Sequence, residues 1–179
     1  MKINIICEGN GVILRQVQAT DAPLLAQWKN EPLIREMAVG WNVVITPENE
    51  EKDILGSLEN PNELYAMVII KGTRPIGYVR VNWLDDTGKF TWLRYALGAE
   101  RGKGYAKEAV GALANWLFDV RDAHRIDAEV YEFNEASINL LRSLGFQHEG
   151  TRRQAHVQKE KYYNVHVFGL LRTDASTLR

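Results

Sequence analysis

The stretch Leu97-Gly98-Ala99-Glu100-Arg101-Gly102-Lys103-Gly104-Tyr105-Ala106 joins two different periodicities. Before it, Phe90–Leu97 reads as a strand. After it, Ala109, Leu113, Trp116, Leu117 and Val120 recur at helical spacing, which predicts a long helix over roughly Gly104–Val120. The first backbone N–H groups of a helix have no intrahelical acceptor, and the helix dipole favours negative charge there. Gly102 and Gly104 let a ligand approach the main chain closely, and Arg101 and Lys103 add positive charge. Such a turn is an anion site, and a pyrophosphate suits all three features. Taken alone, two glycines before a helix serve equally well as a structural loop. The stretch is not a Walker loop, because no Gly-Lys-Ser/Thr follows at the required spacing. It is not a dinucleotide fingerprint either, since a third glycine is missing and the preceding strands read as antiparallel.

On the N-terminal side, Glu63–Ile70, Ile76–Leu84 and Phe90–Leu97 are three strands joined by short turns, an antiparallel meander. Earlier still, Lys2–Cys7 and Val12–Val17 read as strands around the turn Glu8-Gly9-Asn10-Gly11. Thr20 or Asp21 caps a first helix with Pro23 in its first turn. Leu33–Val39 is a further helical piece, and Thr46-Pro47 starts a helix that runs to about Leu58. On the C-terminal side, Arg125–Tyr131 is a strand and Ser137–Leu144 a helix stopped at Gly145. Phe146–Glu149, Gln154–Gln158 and Tyr162–Leu171 are extended, and 172–179 reads as a loose polar tail. The order predicts one domain over 1–179, of class α/β (α+β). It has a mixed, mostly antiparallel sheet with helices on both faces, and the parallel connection lies within Phe90–Val130.

The chain has 179 residues, 45% hydrophobic and 25% charged, with a net charge of −1, which suits a single domain with a sizeable core. That charge balance disfavours a broad nucleic-acid-binding face. One cysteine, Cys7, excludes an internal disulfide and a cysteine-rich metal cluster. No metal site is expected. No apolar run reaches the length that spans a bilayer, and Met1–Cys7 lacks the pattern of a signal peptide, so a cytoplasmic protein without a membrane partner is expected. The oligomeric state is open, with a homodimer as one expectation.

The glycine turn resembles motif A of the GNAT acyl-CoA N-acetyltransferase superfamily, Arg/Gln-x-x-Gly-x-Gly/Ala, with Arg101, Gly104 and Ala106 at the three marked positions. Its continuation through Lys107-Glu108-Ala109 is similar to the branch of ribosomal-protein alanine acetyltransferases, the Rim type. A second block agrees: Asn134-Glu135-Ala136-Ser137, then Gly145-Phe146, then Glu149-Gly150, resembling that branch's Asn-x-x-Ser … Gly-Phe … Glu-Gly pattern. The resemblance covers about Val12–Leu171. It implies the GNAT fold with a splayed strand pair that admits the pantetheine arm, and acetyl-CoA as cosubstrate. It also implies cofactor contacts from the backbone of Tyr95, Ala96 and Leu97, and from Arg101, Gly102, Lys103, Gly104, Tyr105 and Ala106 around the pyrophosphate.

Acetyl transfer from a thioester needs a neutral amine, a donor for the oxyanion and one for the leaving thiolate. The resemblance makes Ser137 the donor or general acid at the sulfur; its position suits a helix cap equally well. Asn134 resembles a cofactor-contacting amide and also suits a turn. Arg142 reaches a cofactor phosphate or lies on a solvated helix face. Many relatives carry a Glu on the strand before motif A, and the matching position here is Trp92. The tyrosine that other members place a turn after the Ser is here Leu141. For the general base, His156 is the first candidate, then Glu160, then His166; bulk water is a further route. Trp41, Trp92 and Tyr162 are candidates for the acceptor wall, although packing explains most aromatic residues of this chain. The acids Glu31, Glu36 and Glu48–Glu51 attract a cationic amine or form solvated faces. The expected reaction is direct acetyl transfer to a primary amine, a protein N-terminus or a small molecule. The alternative is a non-catalytic acyl-CoA sensor, kept open by Trp92. A generic nucleotide-phosphate binder is disfavoured by the missing Walker context.

Overall fold

The computed structural model describes residues 4–39 and 43–175. A hairpin of β1 (Ile5–Glu8) and β2 (Val12–Gln16) opens the chain, followed by helix α1 (Ala22–Asn30). A short turn α2 (Pro32–Ile34) continues as a π-helical turn, Arg35–Val39, and α3 (Pro47–Glu59) follows. The meander β3 (Glu63–Ile70), β4 (Pro75–Trp83) and β5 (Phe90–Leu97) leads into α4 (Tyr105–Asp119). Then come β6 (Arg125–Tyr131), α5 (Glu135–Ser143), β7 (Gln147–Gln158) and β8 (Lys161–Leu171).

The strands form one eight-stranded sheet in the order β1-β2-β3-β4-β5-β6-β8-β7. All neighbours are antiparallel except β5 and β6. Period-two alternation sends each strand's apolar residues to both faces. Ala66, Val68, Val79, Val81 and Leu93 join α4 residues such as Leu113 and Leu117 in the larger core. Tyr65, Met67 and Tyr78 face the other way, onto Leu25 and Trp28 of α1 and Ile54 of α3. Helices therefore cover both faces, as the element order predicts. Each fully buried leucine contributes about 1.5–3 kcal/mol of apolar transfer.

The smaller core holds a charged network that binds α1 and α3 to the sheet. Lys29 Nζ donates to both Glu50 oxygens at 2.8 Å, and Tyr65 Oη donates to Glu50 Oε1 at 2.7 Å. Asp53 and Glu63 both accept from Arg80. Glu50 is only 2% exposed, so of the acids at 48–51 it is unavailable to a ligand.

β5 and β6 pair in parallel only at Phe90↔Arg125, Thr91↔Ile126 and Trp92↔Asp127. Beyond Trp92 the two strands separate, while β5 stays paired with β4 up to Leu97. The sheet thus opens into a wedge beside Leu93–Leu97, the splay that the resemblance implies.

Three local expectations change. The helix expected over Ser137–Leu144 begins at Glu135, because Asn134 is its cap: Asn134 Oδ1 accepts from Ser137 N at 3.2 Å. The two extended pieces expected over 146–158 are one strand, β7, with irregularities between His148 and Gly150 and between Arg152 and His156. Unpaired bulge residues break the alternation, so the sequence reads as two pieces. The loose tail is corrected over 172–175: Ala175 is buried in the larger core, and Arg172 donates to the carbonyls of Phe118 and Ala123.

Candidate functional site

The wedge between β5 and β6 is the mouth of a cleft of about 530 Å³. Tyr95, Ala96 and Leu97 of β5 form one wall. Gly102, Gly104 and Ala106 form the floor at the start of α4, joined by Arg101 and Lys107. Asn134, Ala136, Ser137, Asn139, Leu140 and Ser143 supply the opposite wall from α5. Leu33, Ile34, Met37 and Ala38 cover one side. Asn134 Nδ2 donates to the Met37 carbonyl at 3.5 Å, which ties that cover to the α5 wall.

The floor has the anatomy of an anion site. Gly104 is the cap of α4, with φ of 84°, and among the described residues no side chain accepts from the first-turn amides. Gly102 has φ of 77°, and a Cβ at either glycine would meet nothing within 4 Å. Both glycines therefore answer a left-handed backbone, and the space above them is open. α4 is a 15-residue helix, long enough for a full terminal dipole. A diphosphate fits this cradle.

The charge there is arranged differently from the sequence expectation. Arg101 donates through Nε to the Leu97 carbonyl at 2.7 Å and through Nη2 to Glu31 at 2.7 Å. Lys103 pairs with Glu100 at 2.6 Å and does not line the cleft. Lys107, one turn into the helix, lines it, and no carboxylate pairs with it among the described residues. The sequence reading passed over Lys107 because its position lies beyond the glycines. Its signal was the helical phase of Gly104, three residues before it. Tyr105 is half-buried against the larger core, and Arg142 is exposed on α5 outside the lining.

A tight contact sets the angle of the turn. A Cβ at Gly98 would stand inside the Trp28 ring, so only glycine lets β5 pass this close to α1. Trp28, 4% exposed, thereby fixes where Leu97 and Arg101 stand.

Ser137 and Tyr95 both line the cleft. The Asn134 side chain does the capping, so the Ser137 hydroxyl takes no part in the cap. Tyr95 Oη is fully covered, and no group among the described residues meets hydrogen-bond geometry with it. Burial pushes its pKa up to about 12, opposed by the nearby Ser137 hydroxyl.

The base candidates lie outside the lining. His156 stacks on Tyr131 with ring centroids 3.9 Å apart and tilts onto Phe133, the residue before Asn134. Its Nε2 is buried without a partner, and desolvation lowers its pKa. Glu160 is exposed in the β7–β8 turn. His166 Nδ1 is 2.9 Å from the Thr151 hydroxyl and 3.2 Å from His148 Nε2. Trp92 is half-buried with Nε1 unpartnered and Arg94 over its ring at 4.7 Å. Tyr162 is 67% exposed, and Trp41 lies outside the described residues. No Asp, Glu or His lines the cleft among the described residues.

The acetyltransferase (GNAT) domain family model matches residues 12–147. The chain belongs to the GNAT acetyltransferase family. The match runs from β2 through the cleft to the start of β7, so it contains every wall of the cleft. As a GNAT acetyltransferase, the protein uses acetyl-CoA as cosubstrate. An uncharacterized N-acetyltransferase p20 of Bacillus licheniformis is 30% identical over 168 residues, 90% of this chain and 93% of the relative. The SPbeta prophage-derived uncharacterized N-acetyltransferase YokL of Bacillus subtilis (strain 168) is 33% identical over 93% of each. Among solved structures, the RimL ribosomal L7/L12 alpha-N-protein acetyltransferase with coenzyme A superposes with a TM-score of 0.84 at 20% identity, over 94% of this chain and 98% of that one. Spermidine N-acetyltransferase from Vibrio cholerae, with CoA and spermine, gives 0.85 at 17% identity, over 93% and 98%. These two share the GNAT fold with this chain. No helix among the described residues is long and apolar enough to cross a membrane.

Proposed function

We propose that this GNAT enzyme moves the acetyl group of acetyl-CoA directly to a primary amine, a protein N-terminus or a small molecule. The observation that carries the reading is one continuous cleft. It runs from the uncapped start of α4, along β5 where the sheet splays, to Asn134 and Ser137 of the α5 wall. The main-chain amides near Gly104 hold the diphosphate, the open edge of Tyr95–Leu97 pairs with the pantetheine amides, and the apolar side chains of Leu33, Ile34, Met37 and Ala38 exclude water. Positioning of this kind supplies much of the rate in a bimolecular transfer.

Ser137 donates to the leaving sulfur. Its freedom from the cap supports that role over the structural one. His156 is the base that receives the amine's proton through water. Its lowered pKa keeps the ring neutral near pH 7. Trp41, Trp92 and Tyr162 remain the acceptor wall of this reading. The RimL neighbour acts on a protein N-terminus and the Vibrio cholerae neighbour on spermidine. Of the acids near the cover, Glu31 is paired with Arg101 and Glu36 with Lys159, which weighs against a polycation.

A screen with radiolabelled acetyl-CoA against N-terminal peptides, polyamines and amino sugars tests the proposal. Label in an amide of one acceptor class is the expected result. Tight coenzyme A binding with no transfer to any acceptor would instead support the sensor.

A further inference from the structure

Strand alternation turns Leu93 and Tyr95 of β5 toward the core under α4, and so turns Trp92 and Arg94 to the opposite face of the sheet. Trp92 is the last β5 residue paired with β6, so Arg94 is the first on that face beyond the seam. The cleft reaches the same face, because its cover includes Ile34, a residue of the smaller core under α1 and α3. Arg94 is exposed, and its guanidinium lies over the Trp92 ring at 4.7 Å. Its Nη2 donates to the neutral carboxamide of Asn82. Among the described residues no carboxylate pairs with it, although a second cation, Arg80, stands directly opposite on β4. The acids within electrostatic reach, Asp53 and Glu63, are both bonded to Arg80. Across the seam, Asp127 is held by Arg125 and Glu129 by Arg152. Like charges directly opposite one another are destabilising, so an anion at Arg94 would relieve this pair. A guanidinium has five N–H donors, and stacking on a ring presents them as a planar fork that matches an oxyanion.

We propose that Arg94 selects acceptors that carry an oxyanion, a carboxylate or a phosphate, close to the reacting amine. The proposal rests on the acetyltransferase reading above and narrows its acceptor class. α4 and α5 flank the cofactor on one face of the sheet, which leaves the other face, that of Trp92 and Arg94, for the amine. The oxyanion docks on the Arg94 fork, and the amine of the same molecule is then held at the seam. Arg94 exchanges no proton and makes no bond to the acetyl group. It is a specificity residue, acting on binding.

Paired acceptors that differ only in the charged group test this. The pairs are ω-amino acids against their amides, ethanolamine phosphate against ethanolamine, and tripeptides with Asp against Asn at the second position. Steady-state kinetics with acetyl-CoA are compared in wild type, Arg94→Gln and Arg94→Glu. In wild type the anionic member of a pair is expected to lead about tenfold in kcat/KM, as a charge-assisted bond at an exposed site allows. Which pair shows the lead distinguishes carboxylate from phosphate and small molecule from peptide. In Arg94→Gln the ratio should fall to about one, mainly through KM for the anionic acceptor, because binding of this kind is shared by ground and transition states. Arg94→Glu should invert the preference. A merely structural role would lower both members of a pair together. Equal kcat/KM within every wild-type pair, or a lead that survives Arg94→Gln, overturns the inference and leaves the acetyltransferase reading intact. If Arg94→Gln does not fold, the wild-type ratio decides: an exposed ion pair is screened by salt, so a ratio unchanged up to about 0.5 M salt overturns it. Transfer to no amine at all, with coenzyme A bound, removes the acetyltransferase reading and this inference with it.

Discussion

Ser137 illustrates how one atom's assignment depends on its neighbour. A serine near a helix start suits a cap, and so does an asparagine three residues earlier. The Asn134 carboxamide takes the Ser137 amide, which frees the serine hydroxyl for the cleft. Two substitutions therefore separate the roles. Asn134→Ala is expected to cost about 1 kcal/mol of stability, read by urea denaturation. Ser137→Ala is expected to change stability by less than about 0.5 kcal/mol while lowering kcat. The reverse pattern contradicts the assignment. His156 has its own signature. Burial holds its folded pKa below the ordinary imidazole value of 6.5. The contribution of the neutral ring to stability is thus in place above that ordinary value. It is lost as the pH falls through the lowered folded value. His156→Phe should flatten this acid limb in denaturation curves measured from pH 7 downward. An identical pH dependence in the variant would refute the buried, neutral ring.

Among the elements, α4 and its entry turn decide what the protein binds. The helix end is open because Gly104 has no side chain and no neighbouring group caps the first turn. Gly104→Trp places a ring in that opening and forces a left-handed backbone on a residue that resists it. It should abolish coenzyme A binding by calorimetry in a protein that remains folded by circular dichroism. Unchanged affinity would remove the cradle. The sequence announced this element well, since periodicity, glycines and basic residues all changed within ten positions. The strands Glu63–Ile70, Phe90–Leu97 and Arg125–Tyr131 were legible for the same reason: regular alternation bounded by turn residues. What escaped was set by contacts between distant residues. The bulges of β7 arise from pairing with β8, and Ala175 is buried by the larger core that α4 and β8 help to build. Nothing local in 146–158 or 172–175 encodes either one. Likewise, the carboxylates that hold Arg101 and Lys103 lie on α1's end and in the turn itself, and only the fold shows those cations engaged.

The molecule as a whole is a sheet made to come apart at one seam. Antiparallel pairing holds β1 to β5 on one side and β6, β8 and β7 on the other. Only three parallel pairs join the halves at the base of the wedge. α4 and the larger core bridge the seam on one face. On the other, the Lys29–Glu50–Tyr65 network locks α1 and α3 to β3, so the cover of the cleft starts from a fixed base. The family's chemistry follows from this division, because a thioester can pass through a sheet only where its strands stop pairing. A crystal structure of the coenzyme A complex tests the account most directly. The diphosphate should accept hydrogen bonds from the main chain of Gly102–Ala106, with the thiol beside Ser137 and Tyr95 at the open end of the wedge. Coenzyme A bound elsewhere, with this turn and wedge empty, would contradict it.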